Sequence, residues 1–247
     1  MFSGCHAREK NITPEIESLE FNLGDRTIGV TRTTYDPEGK ITFIQLHDDE
    51  KTAVSAALKT ISETGGTFIT IHNNGNRNIS FNWKGTTFKF DPNRIFSFEG
   101  RKQTLQTFHN YTASADSHVK VFADFILELV PGDGVVIAIH NNTNKRFSID
   151  DYKKNRRDEA LKVHINQHMD PDDFVITTEK SFYDQLVARN ISTVLQHNEK
   201  IKDDGSLSVH YGKQGRAYVN IEAEHGHLQE QSEMIDAVIQ IIGRLKE

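Results

Sequence analysis

Apolar and polar positions along the chain fall into short strand-like and helix-like segments. Thr27 to Tyr35 is β-like, and Asp36-Pro37-Glu38-Gly39 follows as a turn. It predicts a hairpin with the next strand, 41–46, where Ile41, Phe43, Ile44 and Leu46 are apolar. Ala53, Ala56, Ala57, Leu58 and Ile61 then recur at helical spacing. They predict a helix from Glu50 to about Thr64, closed by Gly65-Gly66. Thr67 to His72 is the next strand. The Asn- and Gly-rich segment from Asn73 to Asn78, running on into Ile79-Ser80-Phe81, reads as a long loop. Thr86 to Phe90 is a short strand leading into Asp91-Pro92-Asn93-Arg94-Ile95-Phe96. Ser114 to Val130 is a helix with Val119, Phe122, Ala123, Ile126 and Leu127 on one face. Val135 to Ile139 is wholly apolar, as befits a central strand buried on both faces.

Phe147 to about Met169 is polar and predicts a loop over the rim of the sheet. Phe174–Thr178 and Ser192–Leu195 are strands, with a helix over Lys180–Ala188 between them. Ser206–Val209 and Arg216–Ile221 flank a turn at 211–215, and the last strand, 217–221, ends at Glu222. A C-terminal helix from Leu228 to Leu245 carries Met234, Ile235, Val238, Ile239, Ile242 and Leu245 as its apolar stripe. Residues up to about Leu23 are polar and expected at the periphery. Strands alternating with helices predict an α/β fold, with a mixed, largely parallel central sheet and helices on both faces. No linker, repeat or low-complexity tract divides residues 1–247, so one domain is expected.

Composition narrows the function. At 247 residues and 36% hydrophobic content, the chain can bury a full α/β core. The net charge of -6, with both signs interspersed, argues against a nucleic-acid protein, whose footprint is basic. No apolar run is long enough for a transmembrane segment. A single cysteine excludes an internal disulfide framework and a multi-cysteine metal site. Any metal must therefore be held by histidine and carboxylate. Cys5, in Phe2-Ser3-Gly4-Cys5, looks like the end of a bacterial lipoprotein cleavage box without its preceding regions. It would be a lipid anchor in the cell envelope if the true start lies upstream; otherwise the match is accidental and a bacterial cytoplasm fits as well. The compartment stays open.

Three predicted strand ends carry candidate chemistry. His47 and Glu50 follow the 41–46 strand, His140 follows 135–139, and Glu222 follows 217–221. In open α/β sheets, ligands bind beyond the carboxyl ends of the strands. A catalytic zinc site needs three protein ligands and one open position, which two imidazoles and a carboxylate can supply. The His-x-x-Glu spacing alone is weak. Glu50 also suits a helix N-terminus, where the helix dipole favours a carboxylate.

The order of these residues resembles the zinc carboxypeptidase superfamily, which includes the metallocarboxypeptidases and the succinylglutamate desuccinylase/aspartoacylase branch. The match runs from His47 and Glu50 through Arg77, Asn93-Arg94 within Asp91-Pro92-Asn93-Arg94-Ile95-Phe96, and His140 to Glu222. The resemblance implies that His47, Glu50 and His140 bind Zn2+. Arg77 would stabilise an oxyanion, and Asn93 and Arg94 would hold the substrate carboxylate, Arg94 as a planar donor fork. Glu222 would act as general base. It implies a zinc metallohydrolase that cleaves an amide beside a free carboxylate, with a peptide C-terminus (a cell-wall peptide included) or an N-acyl amino acid as substrate. Pro92 and Ile95 depart from the family pattern. Glu224 competes with Glu222 for the base, and Tyr183 and Tyr211 are the only candidates offered for a substrate-closing tyrosine.

Other residues have plainer readings. The remaining histidines suit surface or hydrogen-bonded structural roles. His225-Gly226-His227 reads as a polar loop capping the last helix, or else as a second metal clip. Asp48 and Asp49 read as a solvent-facing pair, and Lys153-Lys154 with Arg156-Arg157 as a solvated basic face. Two rival classes remain: a non-catalytic binding module that keeps the fold, and an unrelated α/β protein. The second requires His47 and His140 to lie far apart.

Overall fold

The computed structural model describes residues 13–244. Cys5 and Leu245, singled out above, lie outside them. Strands β1 (Glu15–Leu23) and β2 (Arg26–Thr34) come first, then β3 (Ile41–Gln45), α1 (Lys51–Thr64) and β4 (Thr67–His72). A small hairpin of β5 (Ile79–Trp83) and β6 (Thr86–Phe90) leads to α2 (Phe98–Thr107) and α3 (Ala113–Leu129). Then follow β7 (Val135–Asn142), β8 (Ala160–His164), β9 (Phe174–Thr177), α4 (Lys180–Ala188) and β10 (Thr193–Gln196). The chain closes with α5 (Leu207–Lys213), β11 (Tyr218–Glu224) and α6 (Leu228–Arg244).

Nine strands form one mixed sheet in the order β1-β2-β4-β3-β7-β11-β9-β10-β8. Its centre, β4-β3-β7-β11, is parallel. Two hydrophobic clusters cover its faces, α2, α3 and α5 on one side and α1, α4 and α6 on the other. The apolar run of β7 reflects this directly. Val136 and Ala138 enter the first cluster, while Ile137 and Ile139 enter the second.

The expected hairpin between 27–35 and 41–46 does not form, because β4 lies between those strands. It pairs antiparallel with β2 and parallel with β3. All five residues of β3 are buried, so this strand needs neighbours on both edges. The crossover through α1 returns β4 to one of those edges. Gly66 makes the return fit: its φ is +111°, and a Cβ there would stand 2.5 Å from the Ile41 carbonyl oxygen.

Five further elements depart from the pattern reading. Residues 15–23, expected as a peripheral polar segment, form edge strand β1, paired with β2 from Glu15↔Thr34 to Leu23↔Arg26. One face of an edge strand meets water, so Glu15, Glu17 and Glu20 hide its pattern. Ile79 to Phe81 belong to β5, turned into β6 at Lys84-Gly85, both with positive φ. Within the segment expected as a rim loop, β8 is a short, half-exposed edge strand on β10. Residues 206–209, expected beside a turn, begin helix α5, whose Ser206 Oγ accepts from Val209 N. Helix α2 is almost entirely polar and carries no amphipathic signal. The Ser97 side chain caps it.

Candidate metal centre

Strands β3 and β7 deliver the candidate ligands. Leu46 is buried, and the chain then turns so that Glu50 N donates to the His47 carbonyl and Glu50 becomes the N-cap residue of α1. His140 sits near the end of β7. His47 Nδ1 lies 2.9 Å from Glu50 Oε1 and 3.2 Å from His140 Nδ1, and His140 Nδ1 lies 3.0 Å from Glu50 Oε2. All three residues are buried, and one ligand atom from each falls within 4.8 Å of the others. Ligands about 2.0–2.1 Å from a tetrahedral ion are roughly 3.3 Å apart, so this spacing suits one small cation. The unrelated-fold reading, which needed the two histidines apart, is excluded.

The outward nitrogen of His47 is also held. Its Nε2 lies 2.8 Å from Asp91 Oδ1, which also accepts from Asn93 N. A carboxylate behind a metal-binding imidazole fixes its orientation and raises its basicity. Burial pushes the His47 pKa down, but Glu50 and Asp91 overcome this and raise it to about 9. For Glu50, burial opposes ionisation, yet His47 and His140 draw its pKa well below the usual carboxylate range. Asp91 is drawn down in the same way, chiefly by His47 against the cost of burial. Two ionised carboxylates around two imidazoles make this a pocket for positive charge.

The triad opens into a cavity of about 360 Å³ whose lining includes Arg77, Asn93, Arg94 and Glu222. Arg77 donates to Glu50 Oε1 at 2.6 Å. Asn93 Nδ2 stands 3.4 Å from His140 Nε2, and Asn93 Oδ1 accepts from Leu207 N. Arg94 donates to the Asn93 carbonyl, with its Nε 3.6 Å from Asp204. Pro92 fits despite its departure from the family pattern. It opens a single 3-10 turn capped by Asp91, where its missing N–H costs nothing. Glu222 pairs in register with His140 across β7 and β11, and its Oε1 accepts from Asn220 Nδ2. Glu224 does not line the cavity.

No family model and no curated protein matches the sequence. Solved structures do match by shape. An aspartoacylase family protein from Mesorhizobium loti has 15% identity and a TM-score of 0.50, over 96% of this chain and 69% of that one. A metallo-carboxypeptidase from Burkholderia cenocepacia has 12% identity and a TM-score of 0.50, over 96% of this chain and 66% of that one. The chain has the zinc carboxypeptidase-like fold. At these identities the likeness is one of fold.

Several residues had other expected roles. Asp48 does not face solvent. It is buried, and its Oδ2 accepts from Asn73 N at 2.7 Å and Gly75 N at 2.8 Å, which fastens the loop bearing Arg77. Arg156 is not on a solvated face. It lines the cavity with its guanidinium 5.0 Å from the Phe147 ring centre. Tyr183 and Tyr211 are buried and absent from the cavity wall, so neither is placed to close over a substrate. His225 and His227 part company: His225 lines the cavity, whereas His227 Nδ1 pairs with Asp173 at 2.8 Å and lies near Asp170 and Glu224. Behind His140, Gln231 donates to its carbonyl and accepts from Asn141. Polar spacing in the sequence signals none of these partners, because the Asp48, His227 and Gln231 contacts join segments far apart in the chain.

Proposed function

We propose that the chain is a zinc-dependent hydrolase that cleaves an amide bond adjacent to a free carboxylate, a peptide C-terminus being the leading substrate. The observation that supports it most is the convergence of His47, Glu50 and His140 beside a cavity that His47 and His140 line together with Glu222, Arg77 and Arg94. The ligand set, two imidazoles and one carboxylate, suits zinc. When bound, such an ion lowers the pKa of water and polarises a carbonyl. Asn93 and Arg94 grip the substrate carboxylate, with the Arg94 fork suited to two parallel hydrogen bonds. Arg77 donates to the oxygen that gains charge as the carbonyl is attacked. Glu222 takes the proton of the attacking water and passes it to the leaving amine.

Glu222→Gln tests the reading. It is expected to retain about one zinc per chain and to lose about 10²–10⁴ in kcat. Full activity in this variant would remove Glu222 from its role, and a wild-type protein that takes up no zinc would sink the hydrolase. Comparing release of C-terminal residues from model peptides with deacylation of N-acyl amino acids decides between the two substrate classes.

A further inference from the structure

We propose a second metal site where the turn before β9 meets the corner between β11 and α6, with Asp170, Glu224 and His227 holding a divalent cation of the manganese class. One ligand atom from each lies within 4.8 Å of the others. Oxygen ligands on opposite sides of a hard divalent ion stand about 4.2–4.8 Å apart, so the three can share one ion. None of them lines the cavity beside His47 and His140. Of the histidines at 225 and 227, only the second takes part.

His227 is presented as a metal ligand is. Asp173, whose side chain is 1% exposed, meets His227 Nδ1 through Oδ2 at 2.8 Å and accepts from Glu224 N through Oδ1 at 2.9 Å. One buried carboxylate thus fixes both the imidazole and the strand end that carries Glu224, and it leaves His227 Nε2 to bind a metal. A carboxylate behind an imidazole orients metal-binding histidines, as Asp91 is placed to do for His47. Asp170 is set by its own turn: its Oδ1 accepts from Asp172 N, and its carbonyl accepts from Asp173 N. Negative charge is crowded here. Among the described residues, no lysine or arginine side chain pairs with Asp170, Asp172, Asp173 or Glu224. Burial raises the Asp172 and Asp173 pKa values, and the Asp170 charge raises both further.

An independent feature points to a cation. Asn142 is the register partner of Glu224 across β7 and β11, so both side chains leave the same face of the sheet. Its Nδ2 donates to the Asp172 carbonyl at 2.8 Å, which sets the amide between Glu224 and the 170–173 turn. The residue is 8% exposed, and its Oδ1 is buried without a partner. A buried acceptor left unpaired is costly, and amide oxygens are ligands that hard cations take. Two carboxylates and an amide oxygen suit manganese, and one imidazole adds a nitrogen. Asn142 and His225 also line the main cavity, so an ion bound here braces that wall. With Asp170 exposed and His227 half-buried, this site fills only at metal concentrations above those that fill the buried centre.

Manganese alone, titrated into the zinc-loaded chain and followed by the loss of the free-ion electron paramagnetic resonance signal, tests the site. Manganese binds more weakly than zinc to a given ligand set and so leaves the first centre undisturbed. The wild type is expected to take up about one manganese per chain, with nitrogen modulation from His227 in the pulsed spectrum. Asp170→Asn and His227→Gln should each weaken uptake about tenfold or more, and His227→Gln should remove the modulation. Asp170 is exposed, so its variant should melt at the wild-type temperature. Absence of manganese uptake by the wild type overturns the proposal, as does uptake unchanged in both variants. Uptake lost in His140→Ala but kept in Asp170→Asn and His227→Gln puts the ion in the first centre and overturns it too. Uptake that follows Asp170 and His227 in a chain that cleaves no substrate keeps this site and discards the hydrolase.

Discussion

Asp91 shows how much of the centre depends on a residue that need not touch the metal. Its carboxylate holds the outward nitrogen of His47 and also caps the 3-10 turn that carries Asn93 and Arg94. One side chain thus sets a candidate ligand and the pair proposed to hold the substrate carboxylate together. Asp91→Asn keeps the cap, since asparagine caps as well as aspartate, but removes the charge behind the imidazole. Zinc affinity is expected to fall about 10–100-fold, measured by competition with a chromogenic chelator. Unchanged affinity would show that His47 is oriented by other means. His47, Glu50 and His140 could be picked out from residue type and strand-end position. Arg156 could not, because in the sequence it stands in a basic run that looks like any solvated surface.

At the scale of elements, the buried carboxylate of Asp48 links the turn before α1 to the loop after β4. It accepts from two loop N–H groups, and Asn73 completes the lock by donating to the Asn76 and Asn78 carbonyls. Arg77 sits inside this brace. Asp48→Ala leaves two N–H groups without their acceptor, so the folded state is expected to lose about 1–3 kcal/mol in urea unfolding. Its kcat should fall by part of the roughly 10²–10³ expected for Arg77→Ala, with zinc affinity unchanged. A variant that loses zinc and activity together would show that Asp48 supports the ligands instead. The elements legible in the sequence share a strong period. Helix α4 spans Lys180–Ala188 as read, α1 ends before Gly65 as its glycines indicate, and β7 follows its apolar run. Strands β1 and β8 were not legible, because edge elements have too little buried face to impose a pattern, and helix α2 was not, because three of its four buried residues, Gly100, Arg101 and Thr104, are not apolar side chains.

The whole molecule places its charged centre where the parallel strands of the sheet end, between two hydrophobic layers. A candidate ligand set drawn from residues 47, 50 and 140 comes together only in the folded chain, so a metal bound there would be linked to folding. Free zinc at about a hundred times its Kd is expected to stabilise the fold by about 2.7 kcal/mol. In a chain of this size, that raises the melting temperature by about 5–10 °C. Differential scanning fluorimetry with added zinc and with a chelator measures the shift, and His140→Ala should abolish it. A shift that persists in His140→Ala would place the metal elsewhere.

The sequence by itself determined the layered α/β class, because apolar periodicity is a local property that each segment carries in its own residues. It also offered His47, Glu50 and His140 as candidate metal ligands, through their positions near strand ends and the family resemblance that their order carries. Only the tertiary structure decided that β4 slides between β2 and β3, since strand order depends on which edges remain free after the crossover packs. Only the structure brought Asp91 behind His47, Asp48 beneath the Arg77 loop and Arg156 into the cavity. Those contacts join residues dozens of positions apart, and no local pattern records a partner that arrives from elsewhere in the chain.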